Sequence, residues 1–355
     1  MTRRSRYGRA VSTYRAVMMT KKGGPEVLET VELPIRDPES GELRVRVLAC
    51  GIGATDVLMR RAYYPYMPKI PFVQGYDVVG IVDAVGANVG DFKVGDKVCS
   101  LSVWGGYAEY MYRSADDFVV VPPGLDDAEV VALILNYATA YQMIHRVAKQ
   151  KPGETALVTG ANGGCGVALL ELLKVHGVTA YGAASKRSHD LVRALGGIPI
   201  ESREAAIDAS LHAARPEGVD VAYDALGGKF IAQCLRATHR GGLVVAYGFS
   251  ATIIGNKTLW GATARGYFDL YVRSRFIGRK PAFYGITKLY RKTKTPFKED
   301  LPKLFELLAA GKIRPKISAR LPLLEARKGN EMIEAGGVDG KIVLLRDQPP
   351  MQTST

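Results

Sequence analysis

Apolar positions in this chain change period twice. From Tyr14 to about Pro123 they come in short, strand-like runs. Arg15–Thr20 reads as a strand ahead of a Gly23-Gly24-Pro25 turn, and Glu42–Ala49 alternates polar and apolar residues as a half-buried strand does. Past Gly51 and Gly53, Asp56 marks the start of a loop or short helix. Pro65, Pro68 and Pro71 make Tyr63–Phe72 an irregular, aromatic-rich loop suited to a pocket wall. Gly75–Val82, Val85-Gly86, Val94–Val98 and Gly105–Tyr110 are apolar runs punctuated by glycine turns, which predicts a small β-barrel-like domain.

From Asp126 the period becomes helical. Asp126 or Asp127 is placed to cap a helix reaching Leu135, and a second helix is predicted over Thr139–Ala148. Strands then alternate with helices. The strands are Ala156–Val158, Thr179–Ala183, Ile198–Ile200, Val219–Tyr223 and Gly242–Tyr247; the helices between them are Val167–Val175, His189–Leu195, Ala205–Ala213 and Phe230–Ala237. This alternation predicts an α/β fold with a parallel, doubly wound sheet. The tail carries a helix from Leu301 to Ala310, another around Leu324–Ala335, and a strand at Lys341–Leu345 that is expected to rejoin the first domain.

The stretch Thr155–Gly166 joins a buried strand to a helix through clustered glycines, the context that a dinucleotide-binding fingerprint requires. Gly163 lets the backbone approach a pyrophosphate, Gly166 lets the helix pack close to the strand, and the amides at the helix start face the phosphates. Gly160, Ala161, Asn162, Gly163, Gly164, Cys165 and Gly166 are therefore the expected cofactor loop, although Ala161 stands where the first glycine of the fingerprint would sit. A glycine turn without a ligand is the alternative. NAD-preferring domains carry Asp or Glu about 20 residues further on, on the ribose 2′-hydroxyl. Here the second strand ends in Ser185, Lys186 and Arg187, with no carboxylate. A 2′-phosphate finds charge-assisted partners in such a corner, which points to NADP(H); the alternative is a solvated basic loop.

With 355 residues, the chain is long enough for about two domains. A hydrophobic fraction of 47% and a charged fraction of 23% are ordinary for a soluble globular protein. Cys50, Cys99, Cys165 and Cys234 are scattered, which argues against a disulfide framework or zinc ribbon and for a reducing, cytoplasmic setting. No apolar stretch approaches the roughly 20 residues of a membrane span. Arg3, Arg4, Arg6 and Arg9 lack a following apolar core, so residues 1–13 read as a flexible basic tail, with a transit peptide as the alternative. The net charge is +13, and much of it lies between Arg265 and Lys298, where Asp269 is the only acid. This segment also holds Tyr267, Phe268, Tyr271, Phe276, Phe283, Tyr284 and Tyr290. A solvated helix face with a dimer edge is the first reading, and peripheral contact with an anionic membrane surface the second. No nucleic-acid partner is expected, because no nucleic-acid fold signature accompanies the charge.

Gly75-Tyr76-Asp77-Val78-Val79-Gly80, Val94–Val98, Thr139-Ala140-Tyr141, Gly160–Gly166, Tyr223–Gly227, and Gly241–Val244 leading to Tyr247-Gly248 follow one another at family spacing. Through them the chain, from Tyr14 to Leu345, resembles the zinc-independent, quinone-oxidoreductase-like branch of the medium-chain dehydrogenase/reductase superfamily. The resemblance implies a GroES-like catalytic domain built from residues 14–135 and 286–347, a Rossmann domain at 136–285, and an active site in the cleft between them. It adds Thr139, Tyr247, Gly248 and Phe249 to the cofactor site, with Arg203 substituting for a tyrosine that relatives carry at Ser202. Relatives often have Asn where Gly53 and Phe249 stand. Zinc-dependent relatives carry Cys at Gly53 and His-Glu at Tyr76-Asp77. Catalytic zinc needs about three protein ligands, so no metal is expected.

Without a Lewis acid, reduction of a conjugated carbonyl suits the site better than alcohol oxidation, since an enolate oxygen needs only hydrogen-bond donors. Tyr64 resembles the tyrosine of the family's R-x-G-x-Y loop, here Arg60–Tyr64 without the glycine, and is the candidate donor or pocket wall; a packing aromatic is the alternative. The expectation is an NADPH-dependent, zinc-free, dimeric reductase of quinones or α,β-unsaturated carbonyls, acting on a small hydrophobic substrate. Its rivals are an enoyl-thioester reductase, whose CoA or carrier phosphate the basic segment would meet, and a low-activity NADPH-binding protein at membranes.

Overall fold

A computed structural model describes residues 12–250 and 259–346, with residues 259–263 described by their backbone alone. Residues 1–11 of the expected tail lie outside the described residues. The chain divides into two units, one of residues 12–134, 319–332 and 342–346, the other of Leu135–Ser318 and Ile333–Lys341.

In the first unit, β1 (Thr13–Met19) pairs antiparallel with β2 (Leu28–Pro34), and on its other side with β4 (Phe72–Val73), which follows β3 (Glu42–Ile52) in the chain. β3 anchors the larger antiparallel sheet with β5 (Val78–Val85), β6 (Lys97–Ser100), β7 (Tyr110–Ser114) and β8 (Val119–Val120). Alternation ends at Ala49, yet β3 runs on to Ile52. Cys50 pairs with Val78 of β5 at one edge and Leu344 of the C-terminal strand Lys341–Leu345 at the other, and Ala49 to Ile52 are all buried, so both faces there are covered. A strand covered on both faces reads as a continuous apolar run. Leu43, Val45, Val47, Ala49, Val79, Val82 and Val98 are fully buried and form the barrel core. Burying a Val or Leu side chain stabilises by about 1.5–3 kcal/mol relative to exposure.

The second unit is a six-stranded parallel sheet in the order β11-β10-β9-β12-β13-β14. The strands are β9 (Thr155–Thr159), β10 (Thr179–Ala184), β11 (Ile198–Glu201), β12 (Val219–Asp224), β13 (Thr238–Ala246) and β14 (Lys280–Phe283). Leu157 of β9 sits level with Tyr181 of β10 and Ala222 of β12. Strand order reverses across β9 and β12, and in such sheets ligands bind at the C-terminal ends of the strands beside the reversal. Together with the antiparallel sheets of the first unit this gives the expected α/β class.

One expectation needs correcting. Helices Ile286–Lys292 and Thr295–Ala309, expected with the catalytic domain, belong to the sheet unit, as do residues 333–341. Arg146 fixes the longer helix there: its Nε and Nη2 each lie 2.7 Å from the Asp300 carboxylate, which is 1% exposed. Phe297, Leu301, Leu304, Phe305 and Leu308 bury the apolar stripe of that helix.

Candidate active site

Strand β9 ends in buried Thr159, whose hydroxyl donates to Asp224 at the end of β12 (2.8 Å). Burial pushes the Asp224 carboxyl up, against hydrogen bonds from Thr159 and from the amides of Gly227 and Leu226. Gly160 then turns the chain with φ +60°, and helix Gly164–Val175 begins after extended Gly163. A Cβ on Gly166 would lie 2.3 Å from the Gly160 carbonyl oxygen, so the helix packs too close to the loop for any side chain there. A Cβ on Gly163 would meet only that same oxygen, at 3.4 Å. That face of the loop is left uncovered by the described residues, as the approach of a phosphate requires. Ala161 is fully buried, and a Cβ on Gly182 of β10 would lie 3.1 Å from its methyl group; it is a packing residue, not a contact surface.

The structure adds Asn136, which sequence reasoning missed. It sits in a π-helical turn, Leu133–Tyr137, and its Nδ2 donates to Cys165 Sγ at 3.3 Å. A Cβ on Gly164 would fall 2.5 Å from the same nitrogen. The available signal was a lone amide in the apolar run from Val130 to Tyr137. The hydroxyls of Thr139 and Tyr247 and the Asn136 Oδ1 are buried and meet no hydrogen-bond partner among the described residues. A buried polar atom left so costs about 1–3 kcal/mol, which a ligand can recover. Burial, with Cys165 nearby, raises the Tyr247 phenol well above its ordinary value. The uncovered glycine face and these unpaired groups fit a dinucleotide.

At the end of β10, Lys186 meets Glu204 (2.6 Å) and Arg187 meets Asp339 (3.2 Å). Both cations expected at a 2′-phosphate thus already face carboxylates, 18 and 152 positions away in the sequence. Arg203 is exposed, its amide donating to Glu201 Oε1 at 2.7 Å. Gly248 lies against Ala225, where a Cβ would come 2.6 Å from the carbonyl oxygen. Phe249 lies in an aromatic cluster, with ring centroids 5.9 Å from Phe283 and 6.4 Å from Tyr267.

Tyr64 belongs to the first unit. Its hydroxyl lies 2.7 Å from that of Tyr76, and the two rings meet edge-on at 6.1 Å. Tyr76 is fully buried, and burial, with Tyr64, Asp56 and Asp77 around it, raises its phenol well above the ordinary value. The flanking carboxylates serve the backbone: Asp77 accepts from the Gly51 amide (3.0 Å) and Asp56 from the Gly53 amide (2.9 Å). Among the described residues no group of three or more His, Cys, Asp or Glu side chains is placed to hold a metal ion. No helix among them is long and apolar enough to cross a membrane. In the basic segment, Phe276 is 86% and Phe268 59% exposed, while Asp269 lies within reach of Arg265 and Arg273.

Known proteins resemble this chain in sequence and fold. Residues 39–123 match the family model described as alcohol dehydrogenase GroES-like domain, and residues 199–344 that of zinc-binding dehydrogenase. The chain is 30% identical to the quinone oxidoreductase of Rattus norvegicus over 337 residues, covering 93% of this chain and 97% of that one. It is also 30% identical to the synaptic vesicle membrane protein VAT-1 homolog of Danio rerio, covering 94% and 70%. Among solved structures, Escherichia coli quinone oxidoreductase complexed with NADPH superposes with a TM-score of 0.82 at 26% identity, covering 93% and 99%. A mycobacterial protein complexed with NADPH gives 0.80 at 26% identity, covering 94% and 99%. The chain therefore belongs to the medium-chain dehydrogenase/reductase superfamily, in its quinone-oxidoreductase-like branch.

Proposed function

We propose that the chain is an NADPH-dependent oxidoreductase that reduces a quinone or an α,β-unsaturated carbonyl without zinc. The observation that carries the reading is the glycine loop at the strand-order reversal, where among the described residues a Cβ on Gly163 would meet only the Gly160 oxygen and the Thr139 and Tyr247 hydroxyls are buried without partners. Relatives of the same branch solved with NADPH support the choice of cofactor. When bound, the nicotinamide supplies the hydride. The amides opening helix Gly164–Val175 hold the pyrophosphate, and Arg187 and Lys186 provide the positive charge for a 2′-phosphate. Tyr64 donates its hydroxyl proton to the developing enolate or hydroquinone oxygen as a hydrogen bond. Tyr76 stays protonated and, donating to Tyr64, strengthens that donor. For residues 265–298, the exposed Phe268 and Phe276 and the sheet-edge strand β14 support a contact face, with a second copy of the chain as the favoured partner over an anionic membrane.

The test is a panel of quinones, enones and enoyl-thioesters assayed by NADPH oxidation, with metal analysis of the same preparation. Turnover of the first two classes by metal-free protein is expected. Activity confined to enoyl-thioesters moves the substrate class, NADPH binding without turnover leaves a binding protein, and one tightly held zinc per chain ends the zinc-free mechanism.

A further inference from the structure

The acid that the sequence lacks at the end of β10 is supplied by another part of the chain. Asp339 Oδ1 accepts from Asn162 Nδ2 (2.8 Å), Ser188 Oγ (3.1 Å) and Arg187 Nη2 (3.2 Å). The first donor belongs to the glycine loop, the other two to the strand-end corner. The backbone around Asp339 is held as firmly. Ser318 donates its hydroxyl to the Asp339 carbonyl oxygen, and the Gly340 amide donates to the Asn162 carbonyl oxygen at 2.7 Å. Gly340 has φ +95°, and a Cβ there would fall 2.1 Å from the Lys316 oxygen, so the turn that aims Asp339 accepts only glycine. The Asp339 side chain remains 30% exposed, within reach of a ligand.

We propose that Asp339 is a cofactor-discriminating residue, whose carboxylate holds Arg187 and Ser188 and disfavours a 2′-phosphate relative to a 2′-hydroxyl. This rests on the reading of the glycine loop as a nucleotide site. A 2′-phosphate entering the corner must take Arg187 from Asp339 and then tolerate a second anion beside it. A 2′-hydroxyl can instead donate to that carboxylate, as it does to the strand-end acid of NAD-preferring domains. Lys186 and Glu204 are each 66% exposed, so that pair is screened and gives way readily. Arg187 is the cation whose release discriminates, because its partner oxygen is also fixed by Asn162 and Ser188. The chain accordingly prefers NADPH by less than its two cations alone would give.

The test is titration of full-length wild type, Asp339→Asn, Arg187→Ala and the double variant with NADPH and with NADH, followed by nucleotide fluorescence. Asn keeps one acceptor oxygen for Asn162 and Ser188, so the melting temperature of Asp339→Asn should stay near wild type. Its NADPH dissociation constant should fall about tenfold, the scale of removing one close charge pair, while that for NADH stays or rises. On the Arg187→Ala background the same substitution should gain less. Equal shifts for both nucleotides would make Asp339 a mere brace of the loop and overturn the inference, leaving the cofactor reading intact. A wild type that prefers NADH would overturn the NADPH assignment alone, provided Asp339→Asn still moves preference toward NADPH. Failure of every form to bind either nucleotide would end both.

Discussion

A phenol that receives a hydrogen bond is a stronger donor than one that does not, and the Tyr76 hydroxyl, 2.7 Å from that of Tyr64, is placed to supply one under the proposed mechanism. Removing the donor that faces a developing oxyanion costs about a hundredfold in turnover in comparable sites. Tyr64→Phe should therefore lower kcat on that scale and leave the NADPH dissociation constant unchanged. Tyr76→Phe, which keeps the buried ring and deletes only the hydroxyl, should lower kcat by a smaller factor. Steady-state kinetics with nucleotide titration separates the two quantities, and a Tyr64→Phe enzyme with wild-type kcat would remove the residue from the chemistry. Tyr64 was visible in the sequence only through family resemblance, and Tyr76 only as a departure from it. Their contact was not legible, because it depends on how the irregular loop after Arg61 folds back. Asn136 offered one polar letter in an apolar run. Asp339 offered none, since its partner Asn162 is 177 positions away and no local pattern links them.

Elements were more legible, because strand and helix periods are local. β9 to β13 and their helices fall within a few residues of expectation. No apolar period marks β14, because its four residues are at most partly buried and lie among cations. The assignment of Thr295–Ala309 went astray for a different reason: an amphipathic stripe shows that a helix packs, but not against which unit, and here Arg146 decides. The glycine loop allows the sharpest test of an element. Gly166→Ala would place a methyl 2.3 Å from a carbonyl oxygen and must push the helix off the strand, at a cost of about 1–3 kcal/mol. Gly163→Ala adds its methyl at an ordinary distance, so stability should hold while nucleotide affinity drops. Thermal melts and nucleotide titrations of both variants should give opposite patterns: Gly166→Ala loses stability and binding together, and Gly163→Ala loses binding alone.

Across the whole molecule, charge makes stability depend on pH through opposing histidines of the second unit. His145 packs between Tyr141 (4.2 Å between ring centroids) and His176 (4.7 Å), and burial, aided by the charge of His176, lowers its pKa to about 4. An unfolded histidine titrates near 6.5, so between those values the unfolded chain binds the proton that the folded chain refuses. Stability from His145 is thus fully present above about pH 6.5 and is lost as pH falls toward 4. His239 has the reverse sign. Its hydrogen bond to Asp220, at 2.9 Å, raises its pKa, so its contribution is present below the unfolded value and disappears as pH rises through the folded one. His145 is only about half buried, and discounting its shift for solvent leaves roughly 1 kcal/mol. His145→Phe keeps a ring between Tyr141 and His176 and removes the titration. Urea unfolding at about pH 7.5 and about pH 5 should therefore show the wild type losing roughly 1 kcal/mol more than the variant on acidification. Carboxylates and His239 titrate in both proteins and drop out of that difference, so equal losses would mean that the His145 ring is protonated as freely in the folded chain as in the unfolded one.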